Sequence, residues 1–246
     1  MIDFHCHLDL YKRPLEVFEE VKKRNTFVIV VTTSPRAYVK TAEYFKNADN
    51  VIVAAGLHPE LVAERLNEKD LLLDCIKKCE VIGEVGIDGS PRTRNSLMLQ
   101  RELFEDVLIE ADKSDGKIIS IHSRGATKDV LELIYKYKGN SVPILHWFTG
   151  TQKEAKQALD MGCWFSINPN MCNTKAGKAI ISILPLERIL PETDAPFTQK
   201  NGKPFMPWDD TVSRYISDSA GMSIEDIYAQ FDNNKSNLFS RKGIGI

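Results

Sequence analysis

Hydrophobic positions fall into two kinds of stretch that take turns along the chain. Short, nearly continuous runs rich in Val and Ile recur as IDFHCH (2–7), TFVIVVTT (26–33), VIVAAGLH (51–58) and VIGEVGID (81–88). They continue as KIISIHSR (117–124), VPILHWFTG (142–150), CWFSIN (163–168) and ERILPETD (187–194). Between them, in segments such as PLEVFEEVKKR (14–24) and LQRELFEDVLIEADKS (99–114), apolar residues return every three or four positions, the spacing of one helix face. Runs without polar alternation predict strands covered on both faces, and the amphipathic segments predict the helices that cover them. Eight parallel strands are the number that closes a cylinder, so the expected fold is an α/β, TIM-like (β/α)8 barrel forming one domain over 1–246. A doubly wound open sheet is the rival, but no GxGxxG turn follows the first run. From about Trp208 the pattern predicts terminal helices, with Ser223 an N-cap before IEDIYAQF (224–231).

The polar residues sit where the runs end. His5 and His7 close the first run, His58 the third, Glu84 and Asp88 the fourth, and His122 the fifth. His146 interrupts the sixth and Asp194 ends the eighth, so all five histidines fall at or near carboxyl ends of expected strands. In a barrel those ends share one mouth, where the active sites of this architecture lie. Strand residues two apart project to the same side, so His5 and His7 point together, as two ligands of one metal must. Each residue alone has a plainer reading. The HxH pair could be two satisfied core histidines, His122 and His146 structural or substrate-contacting groups, and Asp194 a turn residue before Pro196. Glu84 between glycines is harder to dismiss, because an unpaired carboxylate buried in a parallel strand costs on the order of several kcal/mol. Together the six residues supply ligands enough for two divalent ions.

Composition narrows the setting. The chain is 43% hydrophobic and 27% charged, and no apolar run reaches the length of a membrane span. A net charge of −2 means that any nucleic acid is met by a local site rather than a basic surface. No basic region followed by an apolar segment marks a secretory signal. Five scattered cysteines read as reduced thiols, and a cytoplasmic location is expected.

The motifs resemble those of the TatD family of metal-dependent deoxyribonucleases, within the amidohydrolase-like metallohydrolases. The resemblance runs through nearly the whole chain in order: IDFHCHLD, GLHPE (56–60), GEVGID (83–88), IHSR (121–124), HWFTG (146–150) and PETDAPF (191–197), with a weaker N-x-x-x-L-F echo from Asn234 to Phe239. It implies a TIM-like barrel and two divalent metal ions, Mg2+, Mn2+ or Zn2+. His5, His7, Glu84 and Asp194 would surround one ion, and Glu84 would bridge to a second held by His122 and His146. It implies hydrolysis of DNA phosphodiester bonds, often from a 3′ end or in short strands. Two rim segments depart from the family pattern, GIDGSPRTR (86–94) and TQKNGKPFMPWDD (198–210), which puts substrate preference in question. HWFTG and FSIN also resemble the TatD-like subunits of Qat-type anti-phage gene sets, which implies protein partners in a defence complex.

On this reading Glu84 and Asp194 are the catalytic carboxylates, Asp194 orienting or deprotonating the attacking water unless it is purely a ligand. Arg124 would reach a phosphate oxygen or make an ion pair on the rim. His58 would contact a phosphate or hold a loop. Two other functions remain in view: an amidohydrolase or esterase acting on a small molecule or aminoacyl-tRNA, and a non-catalytic subunit of a defence complex. Ring-opening amidohydrolases often bridge their metals with a carboxylated lysine, and no strand-end lysine is evident here.

Overall fold

A computed structural model describes residues 1–240; residues 241–246, the end of the expected domain, lie outside the described part. Every apolar run contains a strand: β1 (Ile2–Cys6), β2 (Phe27–Val31), β3 (Val51–Ala54), β4 (Val81–Gly86), β5 (Ile118–His122), β6 (Val142–His146), β7 (Trp164–Ile167) and β8 (Ile189–Pro191). The strands are shorter than the runs, because the polar residues at the run ends leave the ladder for loops. His58 therefore lies beyond β3, opening a short 3-10 helix (Pro59–Leu61), and Asp194 lies three residues past β8 with φ 54°.

The periodic segments become α1 (Pro14–Arg24), α2 (Pro35–Phe45), α3 (Val62–Arg65), α4 (Lys69–Ile76), α5 (Leu97–Lys113) and α6 (Thr127–Tyr137). They continue as α7 (Gln152–Asp160), α8 (Pro169–Asn173), α9 (Lys175–Ile181), α10 (Thr211–Ala220) and α11 (Ile224–Ser240). Pro14 opens α1 with its φ already helical, and Asn25 in the left-handed region (φ 50°) ends it. Ser223 caps α11 as expected, its hydroxyl accepting from the Asp226 N–H at 3.1 Å. The Asn234 side chain donates to the carbonyls of Leu186 (2.9 Å) and Ile189 (2.7 Å), tying α11 to the start of β8.

The strands form two parallel ladders, β1–β2–β3 and β4–β5–β6–β7–β8. A bridge between Ala55 and Ile82 joins them at one seam. At the other, Asp194 N–H donates to the His5 carbonyl and His7 N–H to the Ala195 carbonyl, both at 2.8 Å. The sheet thus closes into the expected barrel. At the first seam the backbones crowd: Thr32 N–H donates to the Gly83 carbonyl (3.0 Å), and the Thr32 carbonyl accepts from Glu84 N–H (3.1 Å). A Cβ on Gly56 would stand 2.3 Å from the Glu84 nitrogen, so only glycine lets these chains approach.

Phe27, Ile29, Val31, Val81, Ile118, Ile144, Trp164 and Leu190 pack inside the cylinder with Phe4 and the α11 residue Phe239, closing its floor. Ile82, Val85, Ile119, Ile121, Leu145 and Phe165 face outward into the helix layer. Two bulges break this alternation. Pairing runs Ile82↔Ile119 and then Val85↔Ile121, which inserts one extra residue into β4 at Gly83–Glu84. Likewise Asp3↔Val28 is followed by Cys6↔Val30, inserting one into β1 at Phe4–His5. A bulge turns two successive side chains toward one face. Phe4 plugs the barrel floor while His5, the next residue, reaches the inward-facing Ser120; a Cβ on Gly83 would meet Ser120, and Glu84 faces the same interior.

Candidate metal centre

The six residues expected to gather do gather, at the carboxyl ends of β1, β4, β5, β6 and β8, and all six are buried. Glu84 is the hub, and its two oxygens divide the imidazoles into two groups. Oε2 lies 3.5 Å from His5 Nε2 and 3.3 Å from His7 Nε2, and the same two nitrogens lie 3.5 and 3.6 Å from Asp194 Oδ1. Oε1 lies 2.7 Å from His122 Nδ1, 3.1 Å from His146 Nε2 and 3.3 Å from His58 Nε2. Arg124 is the exception: it is exposed in the turn after β5, and no contact joins its guanidinium to the cluster among the described residues.

Partners behind the histidines decide which nitrogen each presents. His5 Nδ1 lies 2.7 Å from Ser120 Oγ, which leaves Nε2 to face Glu84. His122 Nε2 lies 2.8 Å from Asp88 Oδ2, which leaves Nδ1 to the cluster. His146 Nδ1 lies 3.3 Å from Glu192 Oε1, which leaves Nε2. His58 is the reverse case. Its Nδ1 accepts from the Glu60 N–H at 3.2 Å, so the neutral ring carries its proton on Nε2 and faces Glu84 as a donor. Asp88, Ser120 and Glu192 were not assigned roles from the sequence. For the two acids a signal existed: each is a carboxylate at a strand end.

The electrostatics follow from this packing. Burial alone would raise Glu84, but His58, His146 and His122 around it hold its carboxyl well below the usual range. Burial raises Asp194 well above its ordinary value; His146 opposes this, and the charges of Glu84 and Glu192 reinforce it. His5 is pushed down to about 4 by burial and by His146, whose ring stacks on it at 3.8 Å. His146 and His122 are both raised despite burial, the first by Glu192 and Glu84, the second by Asp88 and Glu84.

This chemistry fits divalent cations. His5 Nε2 and His7 Nδ1 are buried nitrogens without a hydrogen-bond partner, a penalty that a bound cation would relieve at His5. His5, His7 and Glu84 hold ligand atoms close enough to share one ion, as do His58, Glu84 and His122, and His5, His146 and Glu192. The second of these sets is weakened by the His58 tautomer. In the third, Glu192 is already taken up by His146, Ser166, Asn168 (3.2 Å) and the Trp147 N–H (3.1 Å), and it serves as a brace.

A family model described as TatD related DNase matches residues 2–240. The chain belongs to this family. It is a metal-dependent hydrolase. Its relatives include the uncharacterized metal-dependent hydrolase YabD of Bacillus subtilis (strain 168), 30% identical over 261 residues covering 97% of this chain and 98% of that protein. Deoxyribonuclease TATDN3 of Homo sapiens is 27% identical, covering 98% of this chain and 95% of that one. Among solved structures, YJJV, a TatD homolog from Escherichia coli K12, superposes with a TM-score of 0.87 at 21% identity, covering 98% of both chains, which shows the shared fold. None of these three carries a name from anti-phage defence. Among the described residues no helix is long and apolar enough to cross a membrane.

Proposed function

We propose that the protein hydrolyses phosphodiester bonds in DNA with two divalent cations, Mg2+, Mn2+ or Zn2+, releasing nucleotides from a 3′ end. One observation carries this reading: Glu84 turns one oxygen to His5 and His7, which also face Asp194, and the other to His122 and His146, the layout of a carboxylate shared between two ions. Family membership and the deoxyribonuclease name of the human relative support DNA as substrate.

His5, His7 and Asp194 would hold one cation and His122 and His146 the other, with Glu84 between them. Bound there, such a pair polarises a phosphoryl oxygen and lowers the pKa of water toward neutrality. Asp194, at the edge of the cluster against His5 and His7, would orient the attacking water and take its proton, a contribution of roughly 10²–10⁴ in rate. His58 turns its Nε2–H toward the cluster, suited to a non-bridging phosphate oxygen rather than to a cation. Arg124, exposed beyond His122, is free to meet the next phosphate along the strand. Arg92 is less available, since its Nη2 pairs with Glu60 at 2.5 Å. Five buried, unpaired thiols support a reducing, cytoplasmic setting.

The test is a short 5′-labelled oligonucleotide incubated with each cation. Products shortened stepwise from the 3′ end, abolished by chelator and by His122→Ala, are expected. DNA left intact with all three cations, or cleavage indifferent to chelation and to His122→Ala, would end the proposal.

A further inference from the structure

Phe197 is out of place on energetic grounds. The stretch Pro191–Ala195 is buried, yet the phenyl ring two residues on is 60% exposed. It is not loose: its N–H donates to the Asp194 carbonyl at 3.1 Å, Thr198 N–H donates to the same oxygen at 3.2 Å, and the Thr198 hydroxyl donates to the Thr193 carbonyl. The turn that sets Asp194 therefore also sets Phe197. The ring meets His7 edge-on, with centroids 5.0 Å apart and planes at 86°. An apolar face is thus held open to solvent one side chain away from the acid–imidazole cluster.

The segment that follows carries a second oddity. β9 (Gln199–Lys200) and β10 (Lys203–Pro204) form a small antiparallel hairpin in which Lys200 pairs directly with Lys203. Directly opposed residues share a face, and like charges there repel. Both lysines are exposed, and neither forms an ion pair among the described residues. Two lysines paired across the hairpin, three and six residues along the chain from an exposed aromatic ring, match an anionic chain that also presents flat apolar faces.

We infer that Phe197 is a stacking platform for a nucleobase beside the scissile phosphodiester, with Lys200 and Lys203 meeting the backbone phosphate that leads to it. The inference rests on the DNA reading above and adds a base-recognition subsite to it. A rigid ring stacks with little loss of side-chain entropy, and any base offers a π-face, so the subsite favours a base over no base without selecting among the four. The edge of the ring against His7 fixes how far the stacked base stands from the reacting phosphate.

The experiment compares single strands that differ only in one nucleotide, normal or abasic, placed on either side of the scissile phosphate. In the wild-type protein, removing the base on one side should lower kcat/KM roughly 5- to 150-fold, the range of one base–aromatic stack. In Phe197→Ala the intact strand should already be slowed by that factor, and removing the base should change nothing further. Phe197→Trp should keep the base dependence, and the metal dissociation constants should be unchanged in both variants. A Phe197→Ala loss that is the same on normal and abasic strands, or no loss at all, would overturn the platform while leaving the nuclease reading standing. Failure of the wild type to cleave any strand would overturn both.

Discussion

Asp88 offers the sharpest test of how this site is built. Its Oδ2 accepts from His122 Nε2 at 2.8 Å, while Oδ1 accepts from Ser90 N–H (2.8 Å) and the Thr93 hydroxyl (2.9 Å). Burial opposes the charge, but His122 and Ser90 hold the carboxyl below the usual carboxylate range. In Asp88→Asn the two donors at Oδ1 keep the amide oxygen on their side, so the NH2 group faces His122. That group can only donate, which forces the His122 proton onto Nδ1, the nitrogen facing Glu84 Oε1 at 2.7 Å. The lone pair that the proposed function gives to a cation is then blocked, although nothing in the cluster itself has been changed. Outer partners of metal-binding histidines are worth about 10- to 100-fold in affinity, or roughly 1.4–2.7 kcal/mol. Isothermal titration of metal-stripped protein with Mn2+ or Zn2+ should show one of two binding steps weakened by that factor. The other step, identified by its loss in His5→Ala, should be untouched. Two unchanged steps, or two shifted equally, would refute the argument that Asp88 sets the tautomer.

Three further outcomes follow from the same geometry. His58→Gln should leave both metal affinities unchanged and lower kcat/KM on DNA about 10- to 100-fold, because a donor rather than a ligand is lost; a weakened metal step would contradict the tautomer assigned from Glu60. Asp3 links β1 to β8, with Oδ1 accepting from His5 N–H (3.1 Å) and Thr193 N–H (3.0 Å) and Oδ2 from the Thr193 hydroxyl (2.6 Å). Burial pushes it up to about 8, so the neutral amide of Asp3→Asn is a near match and should cost about 1 kcal/mol or less, whereas Asp3→Ala orphans two buried N–H groups at about 1–3 kcal/mol each. Thermal unfolding should separate the two variants by several degrees, and equal melting temperatures would count against the seam. Finally, His122 and His146 are raised, so each cation entering at their side must displace protons, and affinity there should fall as pH falls, by about tenfold per unit for each proton released. His5, pushed down to about 4, adds nothing to this near neutrality. Calorimetry in buffers of different ionisation enthalpy measures the protons directly; none released would exclude the mechanism.

Much of this molecule is local chemistry written one residue at a time. Continuous Val/Ile runs read as strands covered on both faces, amphipathic intervals as the helices covering them, and eight such units as a closed cylinder. Histidines and acids at run ends therefore share one mouth, which made His5, His7, Glu84, His122, His146 and Asp194 legible before any coordinates. What the one-dimensional pattern could not contain is contact between residues far apart in the chain. The bulges at Phe4–His5 and Gly83–Glu84 exist only relative to neighbouring strands, and they turn His5 and Glu84 inward. The nitrogen each imidazole presents is fixed by Ser120, Asp88, Glu192 and the Glu60 amide, and only the Glu60 amide lies near its histidine in the chain. Residue type thus decided what could bind or react, and pairing across the closed barrel decided which atom faces which.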